Sequence, residues 1–248
     1  MRLFSSLIIL TNLAACAPQY HPGGDRIALP SLDTQVLVTA DQVRLPLRQW
    51  PAKNGTPKAV VIALHGFNDY SRAFEQPADW WAAKGLTIYA YDQRGFGQAP
   101  HTGYWSSTPT MAADLGDAVR AVNHRHPELP IYLLGSSMGA AVILAALGDG
   151  HIPSGDTISG VILVGPAVRG PSTLNPFLRF ALWFGAHTVP ANNLTGEGLK
   201  IKPSDNIPML RALGRDPLVI KSTRVDTLYG LVLLMGNALE ASQRLHHP

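Results

Sequence analysis

The chain has 248 residues, room for one large domain or two small ones. With 46% hydrophobic and only 15% charged residues it can bury a sizeable core, which excludes wholesale disorder. The net charge of +3 comes from scattered Lys and Arg with no basic stripe, which argues against a nucleic-acid partner; one cysteine excludes an intrachain disulfide, and with no zinc-type Cys/His spacing no metal or other cofactor is expected.

Residues 1–16 read MRLFSSLIILTNLAAC. Arg2, the apolar run Leu7 to Leu10 and the small residues before Cys16 have the anatomy of a signal peptide, too short to span a membrane. Leu13-Ala14-Ala15-Cys16 resembles the lipobox of bacterial lipoproteins. The resemblance implies cleavage before Cys16 and lipidation of its thiol. With Ala17 rather than Asp next, it also implies the outer membrane, facing the periplasm. An ordinary secretory peptide with a chance cysteine is the alternative. Residues 17–30 are rich in Pro and Gly without periodicity and read as a flexible tether.

The body begins with two strand-like stretches, Gln35 to Thr39 and Val43 to Trp50. Ala59 to Leu64 (AVVIAL) and Leu86 to Tyr91 (LTIYAY) are continuous apolar runs, the mark of strands covered on both faces. Between them Ser71 to Lys84 reads as a helix with Phe74, Trp80, Trp81 and Ala83 as core candidates. Thr110 to Arg125 reads as another, with Met111, Leu115, Val119 and Val122 on one face. Val161 to Val164 reads as a further buried strand. Strands alternating with helices predict a parallel α/β sheet, with chemistry past the carboxyl ends of the strands.

The informative stretch is Ile131 to Gly139, IYLLGSSMG. An apolar strand runs into Gly135-Ser136-Ser137-Met138-Gly139, which fits G-x-S-x-G, and an apolar, Ala-rich helix follows. Strand, sharp turn and helix make this pattern a nucleophile elbow. The serine stands clear of the backbone, and the residues two away on either side lack side chains because strand and helix crowd there. Ser137 is therefore the candidate nucleophile; the bland alternative is a glycine-rich turn with a buried, satisfied serine.

Three motifs, in order, resemble the α/β-hydrolases, and within them the branch of monoacylglycerol lipases, lysophospholipases and related serine peptidases. They are His65-Gly66-Phe67 with Ser71 downstream, Asp92-Gln93-Arg94-Gly95-Phe96-Gly97, and Gly135 to Gly139. The resemblance implies an α/β-hydrolase fold over residues 31–170, a helical cap over residues 171–248 after the sixth strand, and ester hydrolysis through an acyl-serine. It implies an oxyanion hole formed by the backbone amides of Phe67 and Met138. His65 precedes the serine, whereas this fold orders nucleophile, acid, histidine, so His65 is read as shaping its loop. Asp92 and Arg94 are read as structural ties.

Within residues 171–248, Leu174 to Val189 and Leu228 to Leu239 read as apolar helices, a lining for an acyl chain or faces packed on the body. The acid and histidine of a triad are expected after a seventh and an eighth strand. Residue 248 comes before either, so the chain is expected to be truncated, with weak turnover and a bare sheet edge beside Val161. Asp156, Asp205, Asp216, Asp226, His246 and His247 are given no catalytic role. The expected partners are a lipid-like ester, monoacylglycerol or lysophospholipid, and a membrane reached through the anchor. The competing readings are a non-catalytic, membrane-tethered protein binding a hydrophobic ligand on the same fold, and a peptidase or thioesterase using the same groups.

Overall fold

Six apolar residues in a row make β4 (Ala59–Leu64), and every one is buried. β5 (Leu86–Tyr91) and β6 (Ile131–Ser136) flank it in parallel, and β7 (Gly160–Val164) continues the sheet parallel to β6. The antiparallel strands β1 (Ser31–Leu32), β2 (Val36–Val38) and β3 (Arg44–Trp50) join on the far side of β5. The order is β1-β2-β3-β5-β4-β6-β7. The computed structural model describes residues 17–152, 157–169, 173–196 and 204–245. Cys16, read above as a lipidation point, and Asp156, His246 and His247 lie outside them.

Alternation along the strands divides the core. Val60, Ile62 and Leu64 face one layer, with Met111, Leu115, Val119 and Val122 of α2 (Thr108–Arg125) and Ala141, Val142 and Ala145 of α3 (Met138–Gly148). Val61 and Ala63 face the other, with Phe74, Ala78 and Ala82 on the 3-10 turn Ser71–Phe74 and helix α1 (Glu75–Ala83). Burial on both faces is why the central strands carry no polar alternation.

Some expectations are corrected. Trp80 is 61% exposed and Ala83 is exposed. The buried stripe of this segment is Phe74, Ala78, Ala82, at a spacing of four, and Trp80 points outward beneath Lys84. Residues 17–30, expected as a flexible tether, are bonded along the body. The Gln19 amide donates to Asp226, His21 N–H to the Trp105 carbonyl, the Gly23 amide to Thr110 and the Gly24 amide to Asp41, and Arg26 pairs with Asp117. Pro and Gly there suit an extended strap whose polar groups are satisfied by side chains of the body.

After β7 the chain leaves the sheet through α4 (Pro176–Thr188), β8 (Asn193–Thr195), α5 (Ile207–Arg215) and β9 (Ser222–Arg224), with β8 and β9 paired antiparallel. Helix α6 (Val225–Arg244) then returns to the body and packs on α3. Leu234 and Ala238 of α6 belong to the main core, Ala241 is buried, and small residues let the helices approach: a Cβ on Gly148 would come within 2.6 Å of Ala241. Among the described residues, β7 pairs only with β6 and exposes Val161, Ile162 and Val164.

Candidate active site

β4 lies between β5 and β6, so the chain reverses its direction of winding there, and loops after β4 and β6 open onto one crevice. The β6 strand ends at Ser136, and α3 starts at Met138. One residue must make the whole turn. Ser137 does so at φ +51° and ψ −109°, in a region that residues with a Cβ rarely occupy. Such strain costs on the order of 1–3 kcal/mol and persists only where the surroundings enforce it.

The enforcement is visible. The Ser137 amide donates to Val164 of β7 (2.9 Å), and its carbonyl accepts from Ala141 and Ala167 (3.2 Å each). A Cβ on Gly135 would lie 2.5 Å from the Ala140 backbone, and one on Gly139 would overlap the Leu64 carbonyl. Both glycines are thus required by close approach of strand and helix. Ser137 itself is exposed, and among the described residues its hydroxyl has no hydrogen-bond partner.

Opposite the serine stands the loop after β4. A Cβ at Gly66 would be 3.6 Å from Ser137 Cβ, so Phe67 follows directly beside the elbow. Among the described residues the Phe67 amide makes no backbone hydrogen bond. The Met138 amide belongs to the first turn of α3, where N–H groups have no partner within the helix and the helix dipole favours negative charge. The structure thus brings Ser137, Phe67 and Met138 to one place. A carbonyl carbon meeting Ser137 there would develop negative charge on its oxygen next to these N–H groups.

His65 is fully buried and both ring nitrogens are engaged. Nε2 accepts from the Gln93 amide (3.0 Å), so Nδ1 carries the proton and donates to the Gly66 carbonyl (2.8 Å). Burial holds its pKa below the usual histidine range, only partly offset by the Gly66 bond and by Asp92 and Asp69. It is a neutral brace of the loop with no lone pair left for a serine proton. Asp92 accepts from the Ser71 and Gln98 amides, and Arg94 forks onto Asp114 at 2.7 and 2.8 Å while also reaching Asp41. Asp216 and Asp226 are engaged with Tyr70 and Arg72, and with Arg224, respectively. Sequence reasoning missed Asn68, which follows Phe67 at φ +64° and bonds to Thr223. Its signal was an Asn in a turn, the side chain that best tolerates positive φ after glycine.

The family described as serine aminopeptidase, S33, matches residues 55–248. The chain belongs to this family. It is an enzyme, a serine esterase or lipase of the α/β-hydrolase type. It is 29% identical to the monoglyceride lipase of Homo sapiens over 226 residues, 88% of this chain and 69% of that protein. With the monoacylglycerol lipase of Mycolicibacterium smegmatis it shares 28% over 69% of this chain and 56% of that one. A soluble variant of monoglyceride lipase from Saccharomyces cerevisiae, solved with a substrate analogue, superposes with a TM-score of 0.64 at 20% identity. That match covers 90% of this chain and 71% of that one, and shows the shared fold.

Proposed function

We propose that this family member hydrolyses carboxylic esters of lipid type, monoacylglycerol or lysophospholipid, through an acyl-serine at Ser137. The observation that carries the reading is Ser137 itself: exposed, strained, its hydroxyl without a hydrogen-bond partner among the described residues, at the N-terminus of α3 beside the Phe67 loop. In the proposed reaction, Oγ attacks the ester carbonyl carbon and its proton passes through a base to the departing alcohol. The acyl-oxygen bond to that alcohol breaks, and water then releases the acid. The amides of Phe67 and Met138 receive the oxyanion, each worth about 2.7–4 kcal/mol to the transition state. One feature supports a lipid-like substrate: the relatives are named for monoglycerides.

Among the described residues no histidine or carboxylate hydrogen-bonds the Ser137 hydroxyl. The test is covalent labelling: a fluorophosphonate probe is expected to modify Ser137, and Ser137→Ala to abolish the signal. Labelling that survives the substitution removes Ser137 from the role. For location, the reading rests on the sequence pattern at Cys16, lipidated and anchored in a bacterial envelope, in the outer membrane facing the periplasm.

A further inference from the structure

Phe67 stands between two fixed points. On its amino side the imidazole of His65 ties the Gly66 carbonyl to strand β5's end through Gln93. On its carboxyl side the next tie to the sheet comes at Ser71, whose amide donates to Asp92 just past β5 (2.9 Å), so among the described residues Asn68 between them has no hydrogen bond to the sheet. There the strap of residues 216–223, which brings the chain back from α5 into β9, lies against it. The Ile220 amide donates to the Asn68 carbonyl (2.9 Å), and Asn68 Nδ2 donates to Thr223 Oγ1 (2.7 Å), across 155 residues of sequence. Tyr70 OH donates to Asp216 (2.7 Å), and Arg72 reaches the same carboxylate oxygen (3.2 Å). The strap is shaped for this: Asp216 also accepts from the Leu218 amide, and Lys221 folds back on the Asp216 and Val219 carbonyls.

Asn68 itself carries two costs. Its φ is +64°, and its Oδ1 is buried and, among the described residues, has no hydrogen-bond partner. An unsatisfied buried acceptor is unfavourable, and glycine would take the same backbone without it. The amide is therefore not there for the turn alone. What it does that glycine cannot is grip Thr223, which is itself buried.

We propose that Asn68 is a positioning residue: by its bond to Thr223 it fixes the peptide that follows Phe67, so that the Phe67 amide faces the oxyanion only when the 216–223 strap is seated. The strap is the return limb of the α4-to-β9 excursion, so its seating couples the position of that excursion to the readiness of the oxyanion site. This rests on the proposed role of Ser137 and goes beyond it.

The test separates binding from chemistry. Ser137 in the full chain is labelled with an alkyl fluorophosphonate, and the inactivation rate at saturation is measured apart from the probe concentration giving half of it. Asn68→Gly keeps the backbone and the Ile220 bond and loses only the grip; Thr223→Val loses it from the other side. Each is expected to slow the saturating rate about tenfold, less than the 10²–10³ for deleting an oxyanion donor outright, with the half-saturating concentration unchanged. The double variant is expected to match either single one, since both break one bond, and Thr223→Ser to restore the rate. Thermal unfolding of each variant checks the fold, and if Asn68→Gly does not fold, Thr223→Val against Thr223→Ser carries the comparison. Equal saturating rates for wild type and both disabled variants overturn the inference and leave the role of Ser137 standing, as do losses that add in the double variant. No labelling of wild-type Ser137 overturns both.

Discussion

Ser137 and His65 are two polar residues at the ends of adjacent strands with opposite environments. The serine is exposed and, among the described residues, its hydroxyl is unpartnered; the histidine is buried with both nitrogens committed. Because the folded protein prefers neutral His65, its contribution to stability is complete above the unfolded pKa of about 6.5 and is lost as pH falls below that, through the depressed folded value. The slope is at most about 1.4 kcal/mol per pH unit. Urea unfolding of wild type and His65→Gln between pH 7.5 and 5 is expected to show a steeper acid loss in the wild type. His21 and His126, also held low by burial, contribute equally to both proteins. Parallel curves contradict the assignment. The elbow was legible at this scale because its glycines answer to sterics that the pattern encodes. Asn68 was not, because its partner Thr223 lies on a distant strap and no local spacing announces it.

Between elements, the continuous apolar runs named β4, β5 and β6 to within a residue or two, since strands covered on both faces have no other pattern to show. Helix α6 was harder. Its sequence is apolar enough for a cap lining or for the body, and only the mate on the other side decides. That mate is α3, whose Gly148 admits Ala241. At the other end of α6, Gly230 lies under the Trp105 ring, Trp105 packs edge-on to Phe96 and Phe96 to Phe67. A body helix thus supports the site loop through a line of aromatic rings. Leu234→Ala, fully buried in this contact, is expected to cost about 2–5 kcal/mol in urea unfolding. A cost under 1 kcal/mol would place α6 outside the cooperative core. In the segment of α1, Phe74 and Trp81 do pack on the core as expected, whereas the exposed Trp80 and Ala83 stood in the reading where the buried Ala78 and Ala82 belong.

Over the whole molecule, the parallel sheet and the order of its loops were readable from alternation of element types. The course of residues 17–30 was not readable, because Pro- and Gly-rich segments look alike whether loose or bonded. Their bonds begin at once: Gln19 is held by Asp226, and Tyr20 lies in a bridge with Trp105. For the proposed anchor, Cys16→Ala is expected to move the protein from the detergent phase to the aqueous phase in a detergent partition; equal partitioning of the two forms rejects lipidation.

The early grip on Gln19 has a consequence for such an anchor. Three residues of extended chain reach about 10–11 Å, so a lipid on residue 16 would moor the enzyme within a short step of its own leaflet. A long leash lets a catalyst sweep the space between two membranes. One this short restricts it to molecules that come to the surface on which it sits.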